Sequence, residues 1–263
     1  MPYATNDGMS LYYDLDGSGE TVAFIGECGF GAWQWGWQAP ALAGPYETLV
    51  YDMRGVGNSD MPDGGYDIET LAADLEAILA ETETPRVHLV GAGLGGLVAL
   101  QYARKYNRAH TLTVFGATAN GRNIDDTALS ELYPESRTED RLTASLSAGF
   151  TQGFLEAQSE VIEQICTWRV DEDAPPKVVT HQQQAMSEFR ITDLYELTRP
   201  TLVCHGHGDP VVPVDAGRKL AESLPRGTFE AVEGKRLCYI EHSRAVTDRI
   251  LGFLDSHPID GQG

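Results

Sequence analysis

Lysine is nearly missing from this sequence. Of 19 basic residues only Lys105, Lys177, Lys219 and Lys235 are lysines, against 39 aspartates and glutamates. The resulting formal charge of −20 speaks against a nucleic-acid partner, because phosphate binding relies on lysine and arginine. A lysine-poor, acidic surface suits concentrated salt, where the Debye length shrinks to ~3 Å at 1 M and self-repulsion fades. Long apolar runs are missing too. None nears the ~18 residues of a membrane span, and Met1–Asp16 has no charged-then-apolar leader. Cysteine is sparse: Cys28, Cys166, Cys204 and Cys238 form no CxxC pair and have no histidine at zinc-finger spacing. Neither a metal site nor a disulfide framework is expected. The expectation is a cytoplasmic protein without a cofactor. Its partner is a small molecule, not nucleic acid or a membrane, and assembly into a homo-oligomer stays open.

What is present is enough for a core. The chain has 263 residues, 42% of them hydrophobic, which excludes general disorder. Thr21–Gly26 and Thr48–Asp52 read as buried strands. Ile68, Leu71, Ala72, Leu75 and Leu79 recur at helical spacing, predicting a helix over Asp67–Glu81. Arg86–Val90 is the next strand, followed by a glycine-rich turn and a helix to Tyr106. Further strands fall near His110–Phe115, Thr201–His205 and Thr228–Val232, with helices near Val214–Ser223 and Ser243–Ser256. Strands alternating with helices imply an α/β fold with a mostly parallel, doubly wound sheet. Residues 120–189 break the alternation and read as a helical lid inserted into a core made of 1–119 and 190–263. Pro175-Pro176 marks a bend within it, and Pro258–Gly263 reads as a frayed tail.

The strongest local signal is Val87-His88-Leu89-Val90-Gly91-Ala92-Gly93-Leu94-Gly95-Gly96. A buried strand enters Gly-x-x-x-Gly and then a helix, the frame of a nucleophile elbow. Asp52-Met53-Arg54-Gly55-Val56-Gly57-Asn58-Ser59 resembles the stretch after the third strand of the α/β-hydrolase superfamily. Thr201–Pro213 resembles the strand and loop that deliver its triad acid, here Asp209. Glu241-His242 resembles the pair beginning its last helix. In this order the chain is similar to the esterase and enol-lactonase branch of that superfamily.

The resemblance implies a hydrolase, yet two of its catalytic groups are replaced. The nucleophile position is Gly93, which has no side chain. The histidine position, counted back from Glu241, is Arg236, or Lys235 if the match slides by one. Neither cation accepts a proton from a hydroxyl at working pH. Only Asp209 remains, and its task in a triad is to orient an imidazole. His205, His207, His242 and His88 read as structural. Gly26-Glu27-Cys28 matches the family's oxyanion loop; the Cys28 amide would join that of Leu94 as an oxyanion donor, and a Cys28 thiolate is the less favoured use. Among Trp33, Trp35 and Trp37, Trp35 reads as a packing anchor and Trp33 as a wall of a ligand pocket.

The donor-rich turn after Gly93, with Arg236 or Lys235 beside it, describes a pocket for a carboxylate or enolate. Alternatively Arg236 pairs with Asp209 as a structural lock. The function expected is a non-hydrolytic, small-molecule-binding pseudoenzyme. The alternatives are a lyase, isomerase or decarboxylase that uses the oxyanion hole without a covalent intermediate, and an ester or lactone hydrolase.

Overall fold

The computed structural model describes residues 2–134 and 136–259. One sheet holds β1 (Tyr3–Asn6), β2 (Met9–Gly17), β3 (Glu20–Ile25), β4 (Tyr46–Tyr51), β5 (Val87–Ala92), β6 (Ala109–Phe115), β7 (Thr201–Gly206) and β8 (Gly227–Val232). The order is β1-β2-β4-β3-β5-β6-β7-β8. Pairing is antiparallel for β1–β2 and β2–β4 and parallel from β4 onward. The helices are α1 (Ala39–Leu42), α2 (Ile68–Glu81), α3 (Leu94–Lys105), α4 (Asp126–Glu131), α5 (Glu139–Ser145) and α6 (Gln152–Ala157). They continue with α7 (Ser159–Glu172), α8 (Pro176–Glu188), α9 (Val214–Ser223), α10 (Cys238–Glu241) and α11 (Ser243–Asp255). No helix among the described residues is long and apolar enough to cross a membrane.

Helices cover both faces of the parallel strands, so β5 and β7 are buried along their whole length. Alternate residues feed two cores: Ala23, Ile25 and Leu89 pack on one side, Val22, Phe24 and Val90 on the other. The apolar stripe of α2 runs through Leu71, Leu75 and Leu79. Its start is fixed by Asp67, whose carboxylate accepts the Thr70 N–H at 2.8 Å, a cap worth about 1 kcal/mol.

Two elements depart from the sequence reading. The β1–β2 hairpin was not expected; its turn is Asp7-Gly8, with φ of +48° and +77°, the mirror-image geometry that suits the strand twist. Part of the tail expected to fray is docked: Ile259 is buried and its N–H donates to Glu20 Oε1 at 2.8 Å. Residues 260–263 lie outside the described residues. Between β6 and β7 the chain forms α4 to α8, with no strand of the main sheet among the described residues there.

Candidate functional site

β5 and α3 meet at Gly93, which has φ +48° and ψ −107°. That corner carries a helix axis tightly over the sheet. The approach is closest at Gly95, where any Cβ would run into the Ile25 carbonyl oxygen of β3. The turn aims the Leu94 N–H at the space above Gly93. The loop after β3 brings the Cys28 N–H to the same place. Two backbone donors at a helix start form an anion site.

The anion that takes them is the chain's own Glu27. Its Oε1 accepts the Cys28 N–H at 2.8 Å and the Leu94 N–H at 3.1 Å. Its Oε2 accepts Arg236 Nε–H at 2.7 Å. A Cβ built on Gly93 would collide with both carboxylate oxygens. Glu27 therefore occupies at once the room of a nucleophile side chain and the donors of an oxyanion hole. Its position is held from behind by Gln34, whose Oε1 accepts the Glu27 N–H at 2.8 Å.

Arg236 extends the network to Asp209. Its Nη1 donates to Asp209 Oδ2 at 3.0 Å and to the Gly116 carbonyl at 2.7 Å. Burial works against the charge on Arg236, but Glu27 and Asp209 together raise its pKa above the ordinary value. Burial likewise acts to raise Asp209, yet Arg236, His205 and the Val211 N–H hold its carboxyl below the usual range. Both side chains and Glu27 are 1% exposed. Arg236 Nη2 is buried without a hydrogen-bond partner among the described residues.

The structure thus brings Gly93, Leu94, Cys28, Asp209 and Arg236 together. It does not bring in Lys235, whose Nζ donates to the Ser147 carbonyl at 2.7 Å on the surface. Trp33 sits beside the helical segment: its Nε1–H donates to Asp173 at 2.8 Å and its ring stacks near Trp168. Trp35 packs between Phe24 and Tyr239. The Cys28 thiol is buried and its pKa is pushed well up by burial and by Glu27, which disfavours a thiolate. His205 Nε2 lies 3.4 Å from Asp209 but donates to the Val212 carbonyl at 2.8 Å. Its Nδ1 faces Gly217 of α9. His207 is exposed near Glu233.

The fold is matched by a sequence comparison. The profile of the alpha/beta hydrolase fold matches residues 24–243. The chain belongs to the alpha/beta hydrolase fold family. Among curated relatives, 3-oxoadipate enol-lactonase 2 of Acinetobacter baylyi is 26% identical over 250 residues, covering 92% of this chain and 91% of that protein. The non-heme chloroperoxidase CPO-A1 of Kitasatospora aureofaciens is 28% identical over 263 residues, covering 89% and 91%. The enol-lactonase structure from Burkholderia xenovorans superposes with a TM-score of 0.85 at 23% identity, covering 97% of this chain and all of that one. That last likeness shows the fold.

Against this family frame, one residue of the site was missed in the sequence: Glu27. Its signal was a carboxylate where the family has glycine in the oxyanion loop, in a chain that also puts a cation at the histidine position. A second buried ion pair, also missed, ties the helical segment down. Arg169 of α7 donates to Asp173 at 2.7 Å, to Ser145 Oγ at 2.9 Å and to the Leu132 carbonyl at 2.7 Å. Asp173 in turn accepts the Gly31 N–H at 3.2 Å, on the loop that carries Glu27. Beside this pair lies a cavity of ≈260 Å³, lined among others by Tyr133, Arg137, Arg169, Val179 and Gln183. Tyr133 links cavity and elbow, since its hydroxyl donates to the Cys28 carbonyl.

Proposed function

We propose that this protein is a hydrolase-fold member that binds a small molecule and does not hydrolyse it. The observation that carries the reading is Glu27. An acyl-transfer centre needs a nucleophile above the elbow and free donors for the developing oxyanion. Here both places are taken by one carboxylate with three donors of its own. Arg236 stands where a general base would stand, and it stays protonated. The ligand-binding part rests on the cavity beside Tyr133, which lies within the helical segment between β6 and β7. Arg137, without a carboxylate partner among the described residues, favours a ligand with a carboxylate, while Arg169 is taken by Asp173.

A second reading is ester or lactone hydrolysis, favoured by the hydrolase names of the relatives. It would have to use Glu27 as the nucleophile, because that carboxylate stands in the elbow position. A lyase or isomerase using the oxyanion donors would first have to move Glu27 off them. The test is turnover of p-nitrophenyl esters and of an enol-lactone by the purified protein. The expected rate is the uncatalysed background, without saturation. A kcat in the usual enzyme range of ~1–10³ s⁻¹ that vanishes in Glu27→Gln would establish the second reading instead.

A further inference from the structure

At the edge of the sheet opposite the elbow, the acidic character of the chain reverses. A cavity of ≈480 Å³ there is lined by Arg86, His110, Arg199, Arg226 and His257, with Thr198, Pro200 and Pro258, and among the described residues no carboxylate lines it, although Glu20 acts on His110 from nearby. The arrangement follows from topology. β5, β6, β7 and β8 are consecutive and parallel in the sheet, so the residues that open them share one edge. Arg86 immediately precedes β5, His110 is the second residue of β6, Arg199 lies two residues before β7 and Arg226 immediately precedes β8. Neighbouring strands are ~4.8 Å apart, so the row spans roughly 14 Å.

These cations are not spent elsewhere. Among the described residues none of the three arginines has a carboxylate partner, whereas Arg54, Arg104, Arg108, Arg169, Arg236 and Arg249 do. Arg86 Nε is buried without a partner, and Arg86 Nη2 donates to His110 Nδ1 at 2.8 Å. Arginine can only donate, so His110 accepts at Nδ1 and donates from Nε2 to the Pro258 carbonyl at 3.0 Å. That fixes the imidazole and hence the Arg86 fork. Helix dipoles do not account for the row either. Their pull is confined to the last turn of a helix, and none of the three arginines lies in the last turn of an α-helix.

We propose that this edge is a binding site for a small oxyanion with two or more charged groups. Guanidinium forks match the planar oxygen pairs of phosphates and carboxylates alike. The length of the row and the size of the cavity exceed what one such group needs. On a chain of charge −20, a cluster of three arginines without carboxylate partners among the described residues attracts anions against the field of the rest of the surface. The site is separate from the elbow network and does not depend on the reading given above for it.

The test is calorimetric titration of the full-length protein with pyrophosphate and with citrate, each against KCl at equal ionic strength. Saturable binding of either is expected, and the tighter of the two identifies phosphate or carboxylate as the preferred source of charge. Arg199→Gln/Arg226→Gln, at one half-buried and one exposed position without ion pairs among the described residues, should fold normally and bind at least tenfold more weakly. Arg122→Gln/Arg141→Gln removes the same charge from exposed positions outside the cavity and should bind like the wild type. A heat signal reproduced by KCl, or equal weakening in both double variants, would overturn the proposal by reducing it to general screening.

Discussion

Gly93, Glu27 and Arg236 are each conditioned by the other two. Removing Arg236 leaves Glu27 and Asp209 buried with no cation between them. Arg236→Gln is therefore expected to destabilise the protein by ~3–5 kcal/mol, read from urea denaturation midpoints. Glu27→Gln keeps the Arg236–Asp209 contact and an oxygen facing the Cys28 and Leu94 amides, so it should cost clearly less. Equal losses in the two variants would mean that Asp209 does not need the guanidinium. The Asp209 carboxyl also has a defined pH window. Its folded value is depressed, so its stabilisation is present above the unfolded value of ~3.9 and is lost as pH falls through the folded one. Acid melts of Asp209→Asn and wild type should thus converge only below that range.

At the scale of elements, the buried ion pairs of Arg236 and Arg169 hold different things. Arg236 locks the elbow; Arg169 pins α7 to the loop after β3 and lies over the Phe30 ring at 4.7 Å. Arg169→Gln is expected to expose the segment between β6 and β7 to limited proteolysis at temperatures where the sheet is still folded. Cleavage distributed evenly over the chain would contradict that. Within the sheet His88 of β5 is buried between Thr111 and Glu20, and burial lowers its pKa. A depressed histidine favours the folded state above the unfolded value of ~6.5 and loses that contribution as pH falls below it. The melting temperature of His88→Asn should therefore fall less steeply from pH 7 to 5 than that of the wild type.

The parallel strands and α2 were legible because burial on two faces, or on one stripe, writes itself into residue spacing. The β1–β2 hairpin was not, although Asp7-Gly8 was on view. β1 has only four residues and β2 is largely exposed or half-buried, so their alternation is weak. The elbow was legible through Gly91 and Gly95, each demanded by a close backbone approach, and Gly93, demanded by its positive φ. Glu27 was not, since its meaning arises only where three loops distant in sequence converge.

For the molecule as a whole the dominant quantity is charge. We propose that the acidic, lysine-poor composition is an adaptation to concentrated salt. About twenty uncompensated negative charges repel one another at low ionic strength and are screened at molar salt. The melting temperature should rise from 0.1 to 3 M KCl. A flat response, or the same rise in a non-ionic osmolyte of equal osmolality, would remove electrostatic screening as the cause.

The carboxylate seated in the elbow also constrains how a nucleophile could be introduced there. Placing serine at Gly93 drives a side chain into Glu27. Replacing Glu27 first by glycine strips Arg236 of one of its two counter-ions. Converting Arg236 to histidine first leaves two buried carboxylates facing an uncharged ring. Each single change is uphill, and only their combination would build a nucleophile, a base and free oxyanion donors. The three positions are coupled so tightly that they must change together.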